Sequence, residues 1–289
     1  MTIARKNARD NAIPTNINTR TRVIAVGSGK GGVGKSTIST NLAVGLENLG
    51  FTTGLLDADI WGFSIPRLLG IEGRLEANKD KKIVPYKRGG LEVVSTGLIT
   101  DDEDTALMWR GLMLSKALEQ FLFDVEWGNL DYLVIDLPPG TGDIQMALGR
   151  LLPQTELVVV TTPQLSAQKV ATRVADMAKR SFIPLLGVVE NMSYFESGDG
   201  NKYNIFGKGG GDELSEKFGI PLLSKIPISE DSIEESENGT PILLQNNKTP
   251  TKEAMQDLVN TIIKVLPPVS DETCTGRLAK VLEELEVEA

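Results

Sequence analysis

Between Gly27 and Thr37 the chain reads Gly-Ser-Gly-Lys-Gly-Gly-Val-Gly-Lys-Ser-Thr, and positions 29–36 fit the spacing G-x-x-x-x-G-K-[ST]. Such a run suits the binding of phosphate. Backbone N–H groups must turn inward around an anion, and glycine lets the chain pass that close and take positive φ. Gly29, Lys30, Gly31, Gly32, Val33 and Gly34 are expected to wrap the phosphates, with Lys35 neutralising β/γ-phosphate charge. Ser36 is the expected Mg²⁺ ligand, and Ser36 and Thr37 open a helix whose N-terminal dipole favours the same anion. Gly27, Gly29 and Gly32 also fit the dinucleotide pattern G-x-G-x-x-G, with Asp57 and Asp59 near the place of a ribose-binding acid. The Lys-Ser pair at the helix start is the more specific signal, and it favours a nucleoside triphosphate over a dinucleotide.

Two acidic strand ends extend this reading. Leu55-Leu56-Asp57-Ala58-Asp59 is an apolar run closing on two acids at i and i+2, expected to project from one side. Leu133-Val134-Ile135-Asp136 is another, and Asp136 fits an acid that holds Mg²⁺ through water. The Pro/Gly-rich loop after it, 137–143, suits a switch that senses the γ-phosphate.

The extra lysine in Lys-Gly-Gly-Val-Gly-Lys-Ser-Thr resembles the deviant phosphate loop of the MinD/ParA/nitrogenase-iron-protein class, which are P-loop NTPases of the SIMIBI type. Within that class the chain most resembles the Mrp/ApbC family of iron–sulfur cluster carrier ATPases. The resemblance rests on Asp57-Ala58-Asp59-Ile60-Trp61-Gly62-Phe63-Ser64-Ile65-Pro66, Trp109-Arg110-Gly111 and Trp127-Gly128-Asn129-Leu130-Asp131-Tyr132. Positions 136–143, Thr161-Thr162-Pro163-Gln164, Glu190-Asn191-Met192-Ser193, Ile205-Phe206-Gly207 and Gly209-Gly210-Gly211 add to it. It spans roughly residues 22 to 245. It implies a homodimer sandwiching two ATPs, a slow Mg²⁺-dependent ATPase, and iron–sulfur client or assembly proteins as partners. It further implies that Lys30 reaches the partner's phosphates, that Asp59 orients the attacking water with Asp57 in support, that Asn191 recognises the base, and that Pro227 forms part of the adenine wall. In the family a CxxC pair follows Met-Ser-Tyr-Phe. Here Tyr194-Phe195 leads into Glu196-Ser197-Gly198-Asp199-Gly200-Asn201-Lys202, which reads as a tight hairpin turn and identifies no cluster ligand.

These groups need elements to hold them, and the chain supplies the alternation. Continuous hydrophobic runs at 23–26, 54–57, 91–95, 132–136, 157–161, 186–189 and 222–226 read as parallel strands covered on both faces. Helical patterns at 36–49, 113–121, 167–180 and 252–265 separate them. The expected fold is α/β, a doubly wound, mostly parallel sheet with helices on both faces. Residues 1–22 read as a flexible basic leader, 23–267 as one ATPase domain, and 268–289 as an acidic tail. Leu278, Val281, Leu282 and Leu285, at i, i+3, i+4 and i+7, are expected to form a short amphipathic helix in that tail.

Composition narrows the chemistry. The 289 residues include no His and one Cys, so Ser-His and Cys-His catalytic pairs and an internal disulfide framework are excluded. A net charge of −9, from 30 Lys+Arg and 39 Asp+Glu, argues against nucleic acid and anionic membrane as partners. It also ranks a MinD/ParA-like positioning ATPase below a carrier. The expected location is the cytoplasm. Asp101-Asp102-Glu103-Asp104 reads as an exposed acidic loop, Trp109-Arg110 as a packing or interface pair, and Gly209-Gly210-Gly211 as a helix entry capped by Asp212.

Overall fold

The first hydrophobic run becomes β1 (Arg22–Ser28), and its alternation sorts side chains between two cores. Val23 and Ala25 enter one core, Ile24 and Val26 the other, all of them fully buried. An aliphatic side chain gains about 1.5–3 kcal/mol on such burial, so a strand apolar at every position must lie in the middle of a covered sheet. The computed structural model describes residues 14, 16–59, 62, 64–99, 113–140, 142–197, 199–229, 234–236 and 238–269. The acidic loop at 101–104, Trp109-Arg110-Gly111, Ile60, Trp61, Phe63, Cys274 and the amphipathic tail lie outside the described residues.

Along the chain β1 is followed by α1 (Lys35–Asn48), β2 (Thr53–Asp57), α2 (Ile65–Leu69), β3 (Glu76–Ala77), β4 (Ile83–Val84), β5 (Tyr86–Arg88) and β6 (Leu91–Ser95). Then come α3 (Met113–Asp124), β7 (Tyr132–Asp136), α4 (Gly142–Leu151), β8 (Thr155–Thr161), α5 (Leu165–Arg180) and β9 (Leu185–Glu196). The last elements are β10 (Lys202–Tyr203), α6 (Gly210–Phe218), β11 (Leu222–Ile228) and α7 (Pro250–Val265). The main sheet has the order β10-β9-β8-β1-β7-β2-β6-β5, with β11 also paired to β9. Its pairs are parallel except β5 with β6 and β10 with β9. The doubly wound, mostly parallel sheet expected from the sequence is therefore present.

Helices cover both faces. Ile38, Leu42 and Leu46 of α1 share one core with Met255, Leu258, Val259 and Ile262 of α7. Leu118 and Leu122 of α3, Ile144 and Leu148 of α4, and Ala171, Val174 and Ala175 of α5 fill the other. The stripe of alanines on α5 (Ala167, Ala171, Ala175, Ala178) carries little bulk, which lets this helix lie close to the sheet. α7 starts on Thr249, whose hydroxyl accepts the Lys252 N–H at 3.1 Å, with Pro250 in its first turn. It stops where the Leu266 carbonyl accepts the Tyr132 hydroxyl at 2.9 Å, just before Pro267-Pro268.

The strands and helices expected between 23 and 265 are found, with ends shifted by a few residues and β9 running on to Glu196, while the helix expected in the tail lies outside the described residues. The unforeseen elements are short or weakly patterned. β3, β4, β5 and β10 have two or three residues each, too few for a period, and α2 is a five-residue helix. α4 follows a Pro/Gly-rich loop and contains two glycines, which hides its apolar stripe. Among the described residues no helix is long and apolar enough to cross a membrane.

Candidate functional site

The sheet order places the C-terminal ends of β1, β7 and β2 side by side, and each ends in a chemically active group. After β1 the backbone folds through 29–34 and enters α1 with Gly34 in the left-handed region at φ 81°. A Cβ there would also overlap the Asn191 amide, so glycine is required twice over. At Gly29 a Cβ would collide with the Val170 backbone of α5. The loop is thus held by close approach on two sides, while Lys30, Gly31 and Gly32 stay exposed.

Lys35 is only 6% exposed, and its Nζ lies 2.7 Å from Asp136 Oδ2 and 3.8 Å from Asp59 Oδ2. The Ser36 hydroxyl donates to the same Asp136 oxygen at 2.7 Å, and the Ser39 hydroxyl donates to Asp136 Oδ1 at 2.6 Å. Asp136 is fully buried yet satisfied at both oxygens. Asp57 sits beside it in the β2–β7 register. Its Oδ2 accepts the Ser95 hydroxyl at 2.9 Å, and its Oδ1 accepts the Asp59 N–H at 3.1 Å. Complete burial, then the neighbouring Asp136 charge, push the Asp57 carboxyl up to about 8.

The two acids of Asp57-Ala58-Asp59 therefore do not project together. The strand ends at Asp57, which stays beneath the site, while Asp59 lies beyond it and lines the cavity at the Gly-rich loop. That cavity has a volume of about 330 Å³, and Lys30, Lys35, Ser36, Asp59 and Pro139 are among its walls. Pro139 belongs to the loop after β7, which is pinned to the end of β1 by Leu137 N–H to Val26 O at 3.0 Å and Gly140 N–H to Ser28 O at 3.1 Å.

A second cavity of about 330 Å³ adjoins the first, and Gly34 and Thr37 belong to the walls of both. Its lining is apolar and includes Asn191, Met192, Phe206, Pro227 and Met255. Asn191 Nδ2 donates to the Val33 carbonyl at 2.9 Å, tying β9 to the phosphate loop. Asn191 and Pro227, distant in sequence, thus meet in one pocket.

Four contributors escape a reading of the sequence. Ser39 lies one helical turn after Lys35, and that i, i+4 spacing was its available signal. Ser95 meets Asp57 only through the β2–β6 register, and Met192 and Phe206 reach the apolar cavity only through the tertiary fold. The expected Asp212 cap is corrected. Asp212 is the third residue of α6, and its carboxylate pairs with Lys225 at 2.7 Å. The buried Glu190 of β9 receives the helix instead, accepting the Gly211 N–H at 2.6 Å and the Ser193 hydroxyl at 2.6 Å. The chain's own carboxylate occupies the place an external anion would take.

The β9–β10 hairpin follows at 194–203. Lys202 Nζ lies 4.4 Å over the Tyr194 ring and 3.6 Å from Glu196, and Gly200 N–H closes the turn on Ser197 O at 2.8 Å. Among the described residues no group of three or more His, Cys, Asp or Glu side chains could hold a metal ion. Ser36 and Asp136 together offer hard oxygens, which suit Mg²⁺ bound alongside phosphate.

A family model described as ParA, the NUBPL iron-transfer P-loop NTPase, matches residues 19–263. The chain is 46% identical over 246 residues to an iron-sulfur cluster carrier protein of Aquifex aeolicus, covering 84% of this chain and 68% of that one. It is 43% identical over 240 residues to that of Bacillus subtilis, covering 83% and 67%. Among solved structures, a nucleotide-binding protein in complex with ADP from Archaeoglobus fulgidus superposes with a TM-score of 0.66 at 38% identity, covering 76% of this chain and 87% of that one. The septum site-determining protein MinD complexed with Mg-ADP, from Pyrococcus horikoshii, gives 0.64 at 20% identity over 87% and 100%, a likeness of fold.

Proposed function

The chain belongs to the NUBPL iron-transfer P-loop NTPase family, and from that premise we propose that it is a homodimeric Mg²⁺-ATPase supporting iron–sulfur cluster delivery to client proteins. The observation that carries the nucleotide reading is the pair of joined cavities. One is lined by Lys35, Ser36 and Asp59 for a triphosphate, the other is apolar for a base, and they meet at Gly34 and Thr37.

In this reading the N–H groups of 29–37 and the Lys35 ammonium hold the phosphate oxygens. The Lys35 ammonium already lies among acidic groups, so a phosphate exchanges one anionic partner for another instead of drawing a free cation from water. Ser36, backed by Asp136, would hold Mg²⁺, which would supply charge neutralisation for the phosphates. Asp59 orients the attacking water, and Asp57 fixes the Asp59 backbone through its N–H. Lys30, exposed at the mouth of the cavity, is free in position to reach the phosphates of a second subunit. In-line hydrolysis needs such positioning and electrostatics more than a strong base, so a chain without histidine can perform it.

The hairpin at 194–203 offers Glu196, Ser197, Asp199, Asn201 and Lys202, which are hard oxygen donors and an ammonium. They do not fit an iron–sulfur cluster, which takes soft thiolates. Support for delivery therefore lies in the nucleotide-driven cycle and not in ligation at this hairpin.

Paired variants test the site. Lys35→Ala should lower Mg-ATP affinity by about a hundredfold or more, through loss of a buried charge contact. Asp59→Ala should keep affinity within a few-fold and lower kcat by about 10²–10³. Wild-type affinity and turnover in both would refute the assignment. The measurements are titration calorimetry and steady-state phosphate release.

A further inference from the structure

Phe206 stands apart within its segment. From 201 to 208 every residue is exposed except Phe206, which turns inward to line the apolar cavity that also holds Asn191, Met192 and Pro227. Its neighbour Ile205 is 60% exposed, so general burial of the segment does not explain this. Both ends of the segment are anchored. On one side β10 pairs with β9 at Lys202–Glu196 and Tyr203–Phe195. On the other the Gly211 N–H is received by Glu190, also of β9. Between these anchors the only backbone hydrogen bond within the segment is a turn, Gly207 N–H to Asn204 O at 3.2 Å. The aromatic ring is therefore carried on a short exposed bridge with little of its own to hold it.

The wall of the cavity and the hairpin are parts of one strand. Asn191 and Met192 line the cavity, and three residues later Phe195 and Glu196 pair with β10. At the end of the wall Met192 adopts φ 54°, left-handed for a non-glycine residue, and the pairing with β11 slips between Ile226 and Ile228. Such a kink redirects β9 from the sheet into the hairpin.

We propose that Phe206 is a base-stacking residue that closes over the purine, and that its bridge transmits base occupancy to the β9–β10 hairpin. This rests on the nucleotide reading given above. A planar base entering an apolar cavity gains by stacking on an aromatic face, a contact tolerant of exact orientation. With the ring on the base and the bridge tied to β10, a bound nucleotide orders the hairpin, whereas phosphate alone does not engage the ring.

The test compares full-length wild type, Phe206→Ala and Phe206→Trp, each titrated with Mg-ATP and with inorganic tripolyphosphate, alongside Lys35→Ala. Phe206→Ala should weaken Mg-ATP binding about ten- to a hundredfold and leave tripolyphosphate unchanged, and Phe206→Trp should restore ATP affinity. Amide hydrogen exchange across 194–203 should slow on ATP addition in wild type and Phe206→Trp but not in Phe206→Ala. Equal weakening of both ligands would make Phe206 merely structural and overturn stacking. Unchanged ATP affinity in Phe206→Ala, with binding lost in Lys35→Ala, would overturn this proposal alone. Unchanged binding in Lys35→Ala would overturn the nucleotide site beneath it. Hairpin exchange indifferent to ATP in wild type would overturn the transmission.

Discussion

At the scale of single residues the most consequential arrangement is the stack of carboxylates beneath the phosphate loop. Asp136 and Asp57 are both fully buried and adjacent in register, while Lys35 contacts Asp136 directly. Complete burial first, and then the neighbouring Asp136 charge, push the Asp57 carboxyl up to about 8, with the Lys35 ammonium and the Ser95 hydroxyl offsetting only part of this. The folded chain then keeps a proton that the unfolded chain releases near its ordinary value of 3.8. Between these values the folded state binds more protons, so the contribution of this group to stability falls as pH rises from about 4 to about 8. Asp57→Asn keeps the shape and removes the charge. Its Tm relative to wild type should therefore rise on going from pH 6 to pH 9 in nucleotide-free protein, measured by thermal unfolding. A constant difference across that range would mean that Asp57 is not the buried acid that titrates.

At the scale of elements, the least obvious contact is the seating of α6 on Glu190. A helix N-terminus leaves unsatisfied N–H groups, and here the carboxylate of a neighbouring strand accepts one of them, that of Gly211. Glu190→Ala removes that acceptor, strands the Gly211 N–H and the Ser193 hydroxyl, and leaves a cavity. It should cost about 2–4 kcal/mol, read as a lower urea midpoint at unchanged m-value. Glu190→Gln keeps an acceptor and should cost less. Nothing local announced this contact. The three glycines at the start of α6 read as a helix entry, and local spacing points to Asp212 as the cap. The actual partner is about twenty residues away and becomes a neighbour only through the packing of α6 on β9. The phosphate loop is the opposite case. Its requirements are local, since strand, turn and helix start lie within a dozen residues, and it was readable as written.

Across the whole molecule, the question is what the ATPase fold is used for. Its relatives named as cluster carriers match over about two thirds of their length. This chain places Glu, Ser, Asp, Asn and Lys at the hairpin, and its one cysteine, Cys274, lies outside the described residues. Anaerobic incubation with iron and sulfide, followed by desalting, should leave the protein without the broad visible absorption of a four-iron cluster. A stoichiometric absorbing species that disappears in Cys274→Ser would instead assign carriage to that thiol.

Legible along the chain were the Gly-rich loop, the acids after two apolar runs, the reading of those runs as parallel strands, and the family. Each of these is written in short-range spacing, where residue type and period act directly on the backbone. What comes from the tertiary structure is that Asp57 lies beneath the site while Asp59 faces the cavity, that Ser95 and Ser39 hold the buried acids, and that Phe206 joins Asn191 and Pro227 in one pocket. Those facts depend on strand register and on which helix covers which face. Both are set by the burial of whole elements, a balance summed over many residues that no single short stretch contains.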